Sequence, residues 1–240
     1  AYLVDYDEVF YATNAGWGWR VFELANEGDT PSIAVDSKNS VHVAYGTTYA
    51  TNSSGVWKRL SLDEGSNSSI ALDPSDNVHI AYYHYQHDTD TNSLKYVTNE
   101  SGNWRYETIA EFDNLFIPRT SIAVDSKDSS HISCTYKYSY PSDDVGDELV
   151  YFTNSSGSWK GMAVDSGNIR NGQEIAIGPG DSVHMIYNWR DGRLKYAIND
   201  GDEWYSFVIS SANEGESSYR NSYYPAIAVD SHGCTHISFY

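Results

Sequence analysis

The sequence carries eight histidines, and their spacing sorts them into two kinds. Five occupy one place in a repeated pattern. His42, His79, His131, His184 and His236 each stand six residues after the last position of a segment resembling Ile33-Ala34-Val35-Asp36. An Asp and a His at fixed spacing invite a catalytic or metal reading. The fourth copy argues against it, because His184 persists where the Asp has become Gly178. A residue present in every copy of a unit serves the unit, so these His are expected to be buried and hydrogen-bonded between strands. His232 falls in a short turn and is expected to face solvent. The other two lie in His84-Tyr85-Gln86-His87-Asp88-Thr89-Asp90. His84, His87, Asp88 and Asp90 are the donor types that hold Ca²⁺ or another divalent metal, and His84 is also a candidate acid or base. The spacing matches no established metal motif. An extended chain would also send His84 and His87 to opposite faces. No cofactor is therefore predicted, and a divalent metal in this loop is the alternative.

Three arginines precede an Ile-Ala segment: Arg119, Arg170 and Arg220. Guanidinium groups converging at one mouth would bind a carboxylate such as a uronate in bidentate fashion. Carboxylates on the same side include Asp113, Asp143, Asp144, Asp147, Glu148, Glu174 and Asp191. A glycosidase needs two carboxyl groups flanking one bond. Glu174 and Asp143 are the candidates singled out. Glu174 stands immediately before an Ile-Ala segment where the other copies have Ser32, Ser69, Ser121 or Ala226. Trp189, Tyr138 and Tyr223 are aromatics with flat faces and polar tips, suited to stacking on sugar rings. Tyr83, Tyr85, Tyr140, Tyr219 and Tyr224 belong to the same side.

The elements that must position these residues follow from self-similarity. The Ile-Ala segments begin at Ile33, Ile70, Ile122, Ile175 and Ile227. A second unit, Tyr49-Ala50-Thr51-Asn52-Ser53-Ser54-Gly55-Val56-Trp57, returns over 96–104, 151–159, 196–204 and 11–19. Each repeat thus offers four short strands separated by turn residues, with no sustained 3.6-residue period. Four strands at this repeat length predict a propeller blade. The expected fold is all-β: a five-bladed β-propeller of four-stranded antiparallel blades forming one domain over 1–240. The blades are placed at 32–62, 69–109, 121–164, 174–209, and 226–240 plus 1–24. The last is closed by N- and C-terminal strands, which removes edges that would otherwise pair with other chains. The turns from Asp36 and Asp73 are short and uniform, whereas the loops over 83–93, 107–121, 136–148, 161–174 and 209–224 are long and unequal. Binding belongs on the face of unequal loops, at the mouth of the central channel.

Composition limits the partners. Fifteen Lys and Arg against 33 Asp and Glu give a net charge of −18. That balance disfavours a nucleic-acid backbone and an anionic membrane surface, and no run is long enough for a membrane-spanning helix. The chain starts at Ala1, so a processed segment is expected. Cys134 and Cys234 fall at non-equivalent positions and are not expected to pair. The Asn-x-Ser sites at Asn52, Asn67, Asn99 and Asn154 sit in turn chemistry, three of them as a by-product of the repeat.

The Thr-Asn-x-x-Gly-x-Trp hairpin resembles a degenerate Asp-box (BNR) repeat, with Asn at the usual Asp position. The segment from Tyr196 to Trp204 comes nearest. That resemblance implies relatives among sialidase-like, glycosidase, lyase and lectin propellers, and a box that is a structural turn remote from the site. Size and blade number also resemble the tachylectin-type lectins. The expected function is recognition of an oligo- or polysaccharide, neutral or acidic, on the unequal-loop face of a secreted or cell-surface monomer. Arg119, Arg170, Arg220, Trp189, Tyr138, Tyr223 and His87 are the expected contacts. The alternatives are a glycoside hydrolase or polysaccharide lyase with one asymmetric site there, and a protein-interaction scaffold.

Overall fold

The computed structural model describes residues 8–63, 65–86, 91–113, 119–136, 147–167, 169–189, 192–199, 201, 203–210 and 225–239. They form an all-β succession of antiparallel sheets on a β-propeller plan. Four sheets have four strands each. The first holds β3 (Ser32–Val35), β4 (Val41–Tyr45), β5 (Thr48–Thr51) and β6 (Lys58–Ser61). The second holds β7 (Ser66–Leu72), β8 (Val78–Gln86), β9 (Thr91–Thr98) and β10 (Arg105–Asp113). β11 (Thr120–Val124), β12 (Ser130–Tyr136), β13 (Asp147–Thr153) and β14 (Lys160–Gly167) make the third. β15 (Ile169–Ile177), β16 (Val183–Trp189), β17 (Leu194–Asn199) and β18 (Trp204–Ser210) make the fourth. Two-stranded sheets stand at the ends: β1 (Val9–Thr13) with β2 (Arg20–Ala25), and β19 (Ala226–Val229) with β20 (Thr235–Ser238).

Local chemistry explains the hairpins. In the first turn of each repeat the Asp side chain closes the loop. Asp73 Oδ1 accepts from the Ser75 and Asn77 N–H groups, both at 2.8 Å, and Asp36, Asp125 and Asp230 do the same. In the second turn the Asn ties the outer hairpin to the second strand. Val78 N–H donates to Asn99 Oδ1 at 2.7 Å, and Val41 and Ser130 donate to Asn52 and Asn154. An amide oxygen serves here without the charge of an Asp. Gly55, Gly102 and Gly157 have φ near +83°, a conformation that strains residues with a Cβ.

Four of the five repeated His serve the sheets, whereas His236 is exposed and meets only Asp230 of its own turn, at 3.3 Å. His131 Nδ1 meets the Tyr151 hydroxyl, and its Nε2 lies 3.1 Å from Asp125 Oδ2. His42 sits likewise between Tyr49 and Asp36. His79 is bonded to Tyr96, with Asp73 3.3 Å from its Nε2. In the fourth sheet Ser182 Oγ takes the place of the absent Asp, 2.9 Å from His184 Nε2. Gly178 is what makes room: a Cβ there would lie 2.6 Å from that nitrogen. Neighbouring sheets share apolar interfaces. Ala44 and Tyr49 of the first meet Ile70, Val78, Ile80 and Tyr82 of the second, and the pattern recurs one sheet on. The Tyr of four of the five hairpins also meets the Trp of the next sheet edge-on: Tyr11–Trp57, Tyr49–Trp104, Tyr96–Trp159 and Tyr151–Trp204.

The ends differ from the closed blade that the sequence leads one to expect. Among the described residues β20 is not paired with β1, and each hairpin is a sheet of its own. The reason lies in what anchors each half. Val9 and Leu24 pack with Val41, Val43 and Tyr45 of the first sheet, while β19 packs along β15 of the fourth. The cost shows as exposure: Ile33 is 57 % exposed where the equivalent Ile70, Ile122 and Ile175 are buried, and Trp19 is 73 % exposed. Both cysteines are free, Cys134 buried and Cys234 exposed. No helix among the described residues is long and apolar enough to cross a membrane.

Candidate functional site

A cavity of about 320 Å³ opens where the inner strands begin. Four sheets contribute in turn. Thr30, Pro31 and Ser32 come from the first, Asn67, Ser68 and Ser69 from the second, Arg119, Thr120 and Ser121 from the third, and Gln173 and Glu174 from the fourth. These segments precede or open β3 and β11 and lie within the first two-thirds of β7 and β15, on the side of the unequal loops.

The wall is tied from sheet to sheet by one repeated hydrogen bond. The N–H of each inner-strand Ile donates to the residue before the Ile of the preceding sheet. Ile70 donates to Ser32 Oγ at 3.2 Å, Ile122 to Ser69 Oγ at 3.2 Å and Ile175 to Ser121 Oγ at 3.3 Å. Glu174 continues the series by accepting from the Ile227 N–H. Glu174 thus takes up a serine's duty with a longer, ionisable side chain. Burial pushes its carboxyl above the usual carboxylate range, against the pull of that N–H and of the Arg119 guanidinium. Two further bonds stiffen the wall: Thr120 Oγ1 donates to the Asn67 carbonyl at 2.6 Å, and Gln173 Nε2 donates to the Arg119 carbonyl.

Two strand irregularities re-aim this wall, as bulges beside sites commonly do. The β7–β8 register shifts between Ser66 and Ser69, with Asn67 at φ 52°. The β15–β16 register shifts between Arg170 and Glu174, with Gly172 at φ 118°. Ser68 and Gln173 lie inside these shifts and are buried, and Ser68 Oγ and Gln173 Oε1 have no hydrogen-bond partner among the described residues.

Of the residues the sequence points to, the cavity brings together Arg119 and Glu174. Arg170 pairs through its backbone with Asn188, and its side chain lies outside the description. Trp189 is half-buried at the end of β16 and is not in the cavity wall. Arg193 and Lys195 lie over its ring at 4.8 and 4.5 Å, and Lys195 pairs with Asp165. Cations, not an open face, therefore meet that indole. Tyr83 is buried. His84 is half-buried in β8 opposite Ser93. Among the described residues no three His, Cys, Asp or Glu gather in a way that could hold a metal. His87, Asp88, Asp90, Tyr138, Asp143, Arg220 and Tyr223 lie outside the described residues. Sequence reasoning missed Asn67, Ser68, Thr120 and Gln173. The available signal was their position beside the Ser/Glu series, but nothing in their types marks a bulge.

No family model matches the chain, and no curated protein matches it. Solved structures do. The chain is similar to a Penicillium chrysogenum α-L-arabinanase complexed with arabinobiose, at TM-score 0.61 and 10 % identity over 88 % of this chain and 74 % of that one. It is similar to a Fusarium graminearum GH93 α-L-arabinofuranosidase, also with arabinobiose, at TM-score 0.57 and 9 % identity over 76 % of this chain. It is similar to a PL25 ulvan lyase bound to -[GlcA(1-4)Rha3S]-, at TM-score 0.55 and 11 % identity over 85 % of this chain. The chain spans 66 % of the arabinofuranosidase and 61 % of the lyase. At such identities the likeness is one of fold, and the fold shared is the β-propeller.

Proposed function

We propose that this propeller binds carbohydrate in the channel-mouth cavity. One observation carries the reading: a pre-formed cavity on the unequal-loop face whose wall is almost wholly hydroxyl, amide and charged side chains. Its volume is at the lower end of the roughly 300–1,000 Å³ range of small-molecule sites, enough for a sugar residue or two. The glycan-active structural relatives support the ligand class. Recognition runs through hydrogen bonds, because no aromatic is in the described wall. Hydrolysis is the second reading: the two-carboxylate mechanism needs a partner for Glu174, and the candidate for it, Asp143, lies outside the described residues. A secreted or cell-surface setting and a monomeric state belong to the same proposal.

Ring closure by the two terminal hairpins completes this reading. Repeating the observed register of β4 on β5 would set His236 opposite Thr13 and Ser238 opposite Tyr11. The same repetition gives His236 the Tyr11 hydroxyl and gives Tyr196 the edge of Trp19. The supporting observation is the exposure left at the ends, where Trp19 is 73 % and Ile33 57 % exposed.

The test is a panel of neutral and acidic glycans, read for both binding and product release, on wild type and Arg119→Ala. The expected result is binding without cleavage, weakened about tenfold by the substitution, or roughly 1.4 kcal/mol. Absence of binding to every glycan, or binding that ignores Arg119→Ala, would contradict the reading.

A further inference from the structure

The wall holds two opposite charges and little else that is charged. Arg119 and Glu174 stand in one cavity, and the guanidinium's field acts on the carboxyl. A ligand carboxylate entering here would meet the Glu174 carboxyl as well as Arg119. The surrounding charge of −18 opposes such a ligand further. The remaining groups favour a different chemistry. Ser32, Ser69 and Ser121 each accept one backbone N–H. Each keeps its own proton to donate and a lone pair to accept with. Three such hydroxyls rise from successive inner strands, a quasi-symmetric crown around the mouth. Groups that both donate and accept suit ligand hydroxyls, which do the same, better than an anion, which only accepts. These hydroxyls point to a neutral ligand, where the three arginines of the sequence suggest a uronate.

Resting on the carbohydrate reading above, we infer that the cavity takes the neutral, hydroxyl-bearing end of a glycan and discriminates against carboxylated or sulfated sugars, with Glu174 as the residue that sets this specificity by placing a carboxyl in the same wall as Arg119. Arg119 and the serine hydroxyls grip the sugar's hydroxyls, and Glu174 keeps the site's net charge near zero. Discrimination arises here by repulsion as much as by attraction.

The test is a calorimetric titration with a neutral disaccharide, arabinobiose or cellobiose, and with a disaccharide bearing a uronic acid, on wild type and Glu174→Gln. Gln retains an oxygen for the Ile227 N–H while removing the charge. Wild type is expected to bind a neutral disaccharide at least tenfold more tightly than the acidic one, with little dependence on salt. Glu174→Gln is expected to narrow the ratio of neutral to acidic affinity at least tenfold by raising acidic binding, a gain lost again in high salt. If Glu174→Gln does not fold, Glu174→Asp replaces it and is expected to keep the neutral preference of wild type. Tighter binding of the acidic sugar by wild type would overturn the inference and leave the carbohydrate reading standing. Equal acidic binding by wild type and Glu174→Gln would also overturn it. If no saccharide bound wild type, both would fall together.

Discussion

His79 and His131 are each held between a Tyr hydroxyl and an Asp, and burial, before any other cause, pushes both imidazoles below the usual histidine value. Asp73 and Asp125 are desolvated too, yet the N–H groups and the His around them hold their carboxyls low. An ionised carboxylate only accepts, so Nε2 carries the proton and Nδ1 receives the Tyr hydroxyl. The pH consequence has a definite sign. A His with a depressed folded value is neutral in the native state. Its contribution is complete above about pH 6.5, the unfolded value, and is lost as pH falls below it. Denaturation midpoints are expected to be flat from pH 7 to 8 and to fall through pH 6 to 5, with a further loss below about pH 4 as the Asp residues protonate. A midpoint that rose on acidification from pH 7 would contradict this placement. The same network ranks two substitutions. Tyr151→Phe leaves His131 Nδ1 without its hydroxyl, whereas Tyr96→Phe leaves His79 Nδ1 with Ser130 Oγ at 3.2 Å. Tyr151→Phe is expected to cost about 1–3 kcal/mol, several degrees in Tm, and Tyr96→Phe clearly less. Equal losses would show that the serine plays no part.

At the scale of elements, the hairpin turn is the unit that was legible beforehand. The Thr-Asn-x-x-Gly-x-Trp spacing encodes a side-chain acceptor, a left-handed glycine and an aromatic that bridges sheets, and the structure uses all three. Gly102 tests the backbone part alone. No atom lies within 4 Å of the position a Cβ would take, so Gly102→Ala is expected to cost about 1 kcal/mol through φ strain only. Asn99→Ala removes the acceptor for a buried strand and is expected to cost more, about 1–3 kcal/mol. Urea midpoints for the two variants check the order. The cavity was legible only in part. Glu174 and Arg119 could be picked out because the repeat fixes their place before an inner strand. Ser68 and Gln173 could not. They reach the wall through register shifts that depend on how β7 and β15 fit their neighbours, and no repeated residue type records that fit. Trp189 shows the opposite failure: its type suggests a sugar platform, while the cations over its ring come from β17 and the turn before it.

For the whole molecule, the repeat count foretold a ring, and the described structure shows its neighbouring sheets but leaves the two terminal hairpins apart. The Ser37 N–H donates to Asp76 of the next sheet at 2.8 Å, and Ser126 donates likewise to Asp181. Pro74 and Pro179 interrupt this series because proline has no N–H. Closure would extend it from Ser231 to Asn39. A Ser231→Cys/Asn39→Cys pair in a Cys234→Ser background is therefore expected to cross-link within one molecule on oxidation. A ladder of linked copies, or no cross-link, would contradict closure.

The central claim is that the channel-mouth cavity holds a sugar, and backbone-amide NMR during titration with the best-binding glycan of the panel tests it most directly. The account predicts saturable shifts confined to Asn67, Ser68, Arg119, Thr120, Gln173 and Glu174. Shifts absent there, or clustered at the opposite turns of 36–40, 73–77 and 125–129, would contradict it.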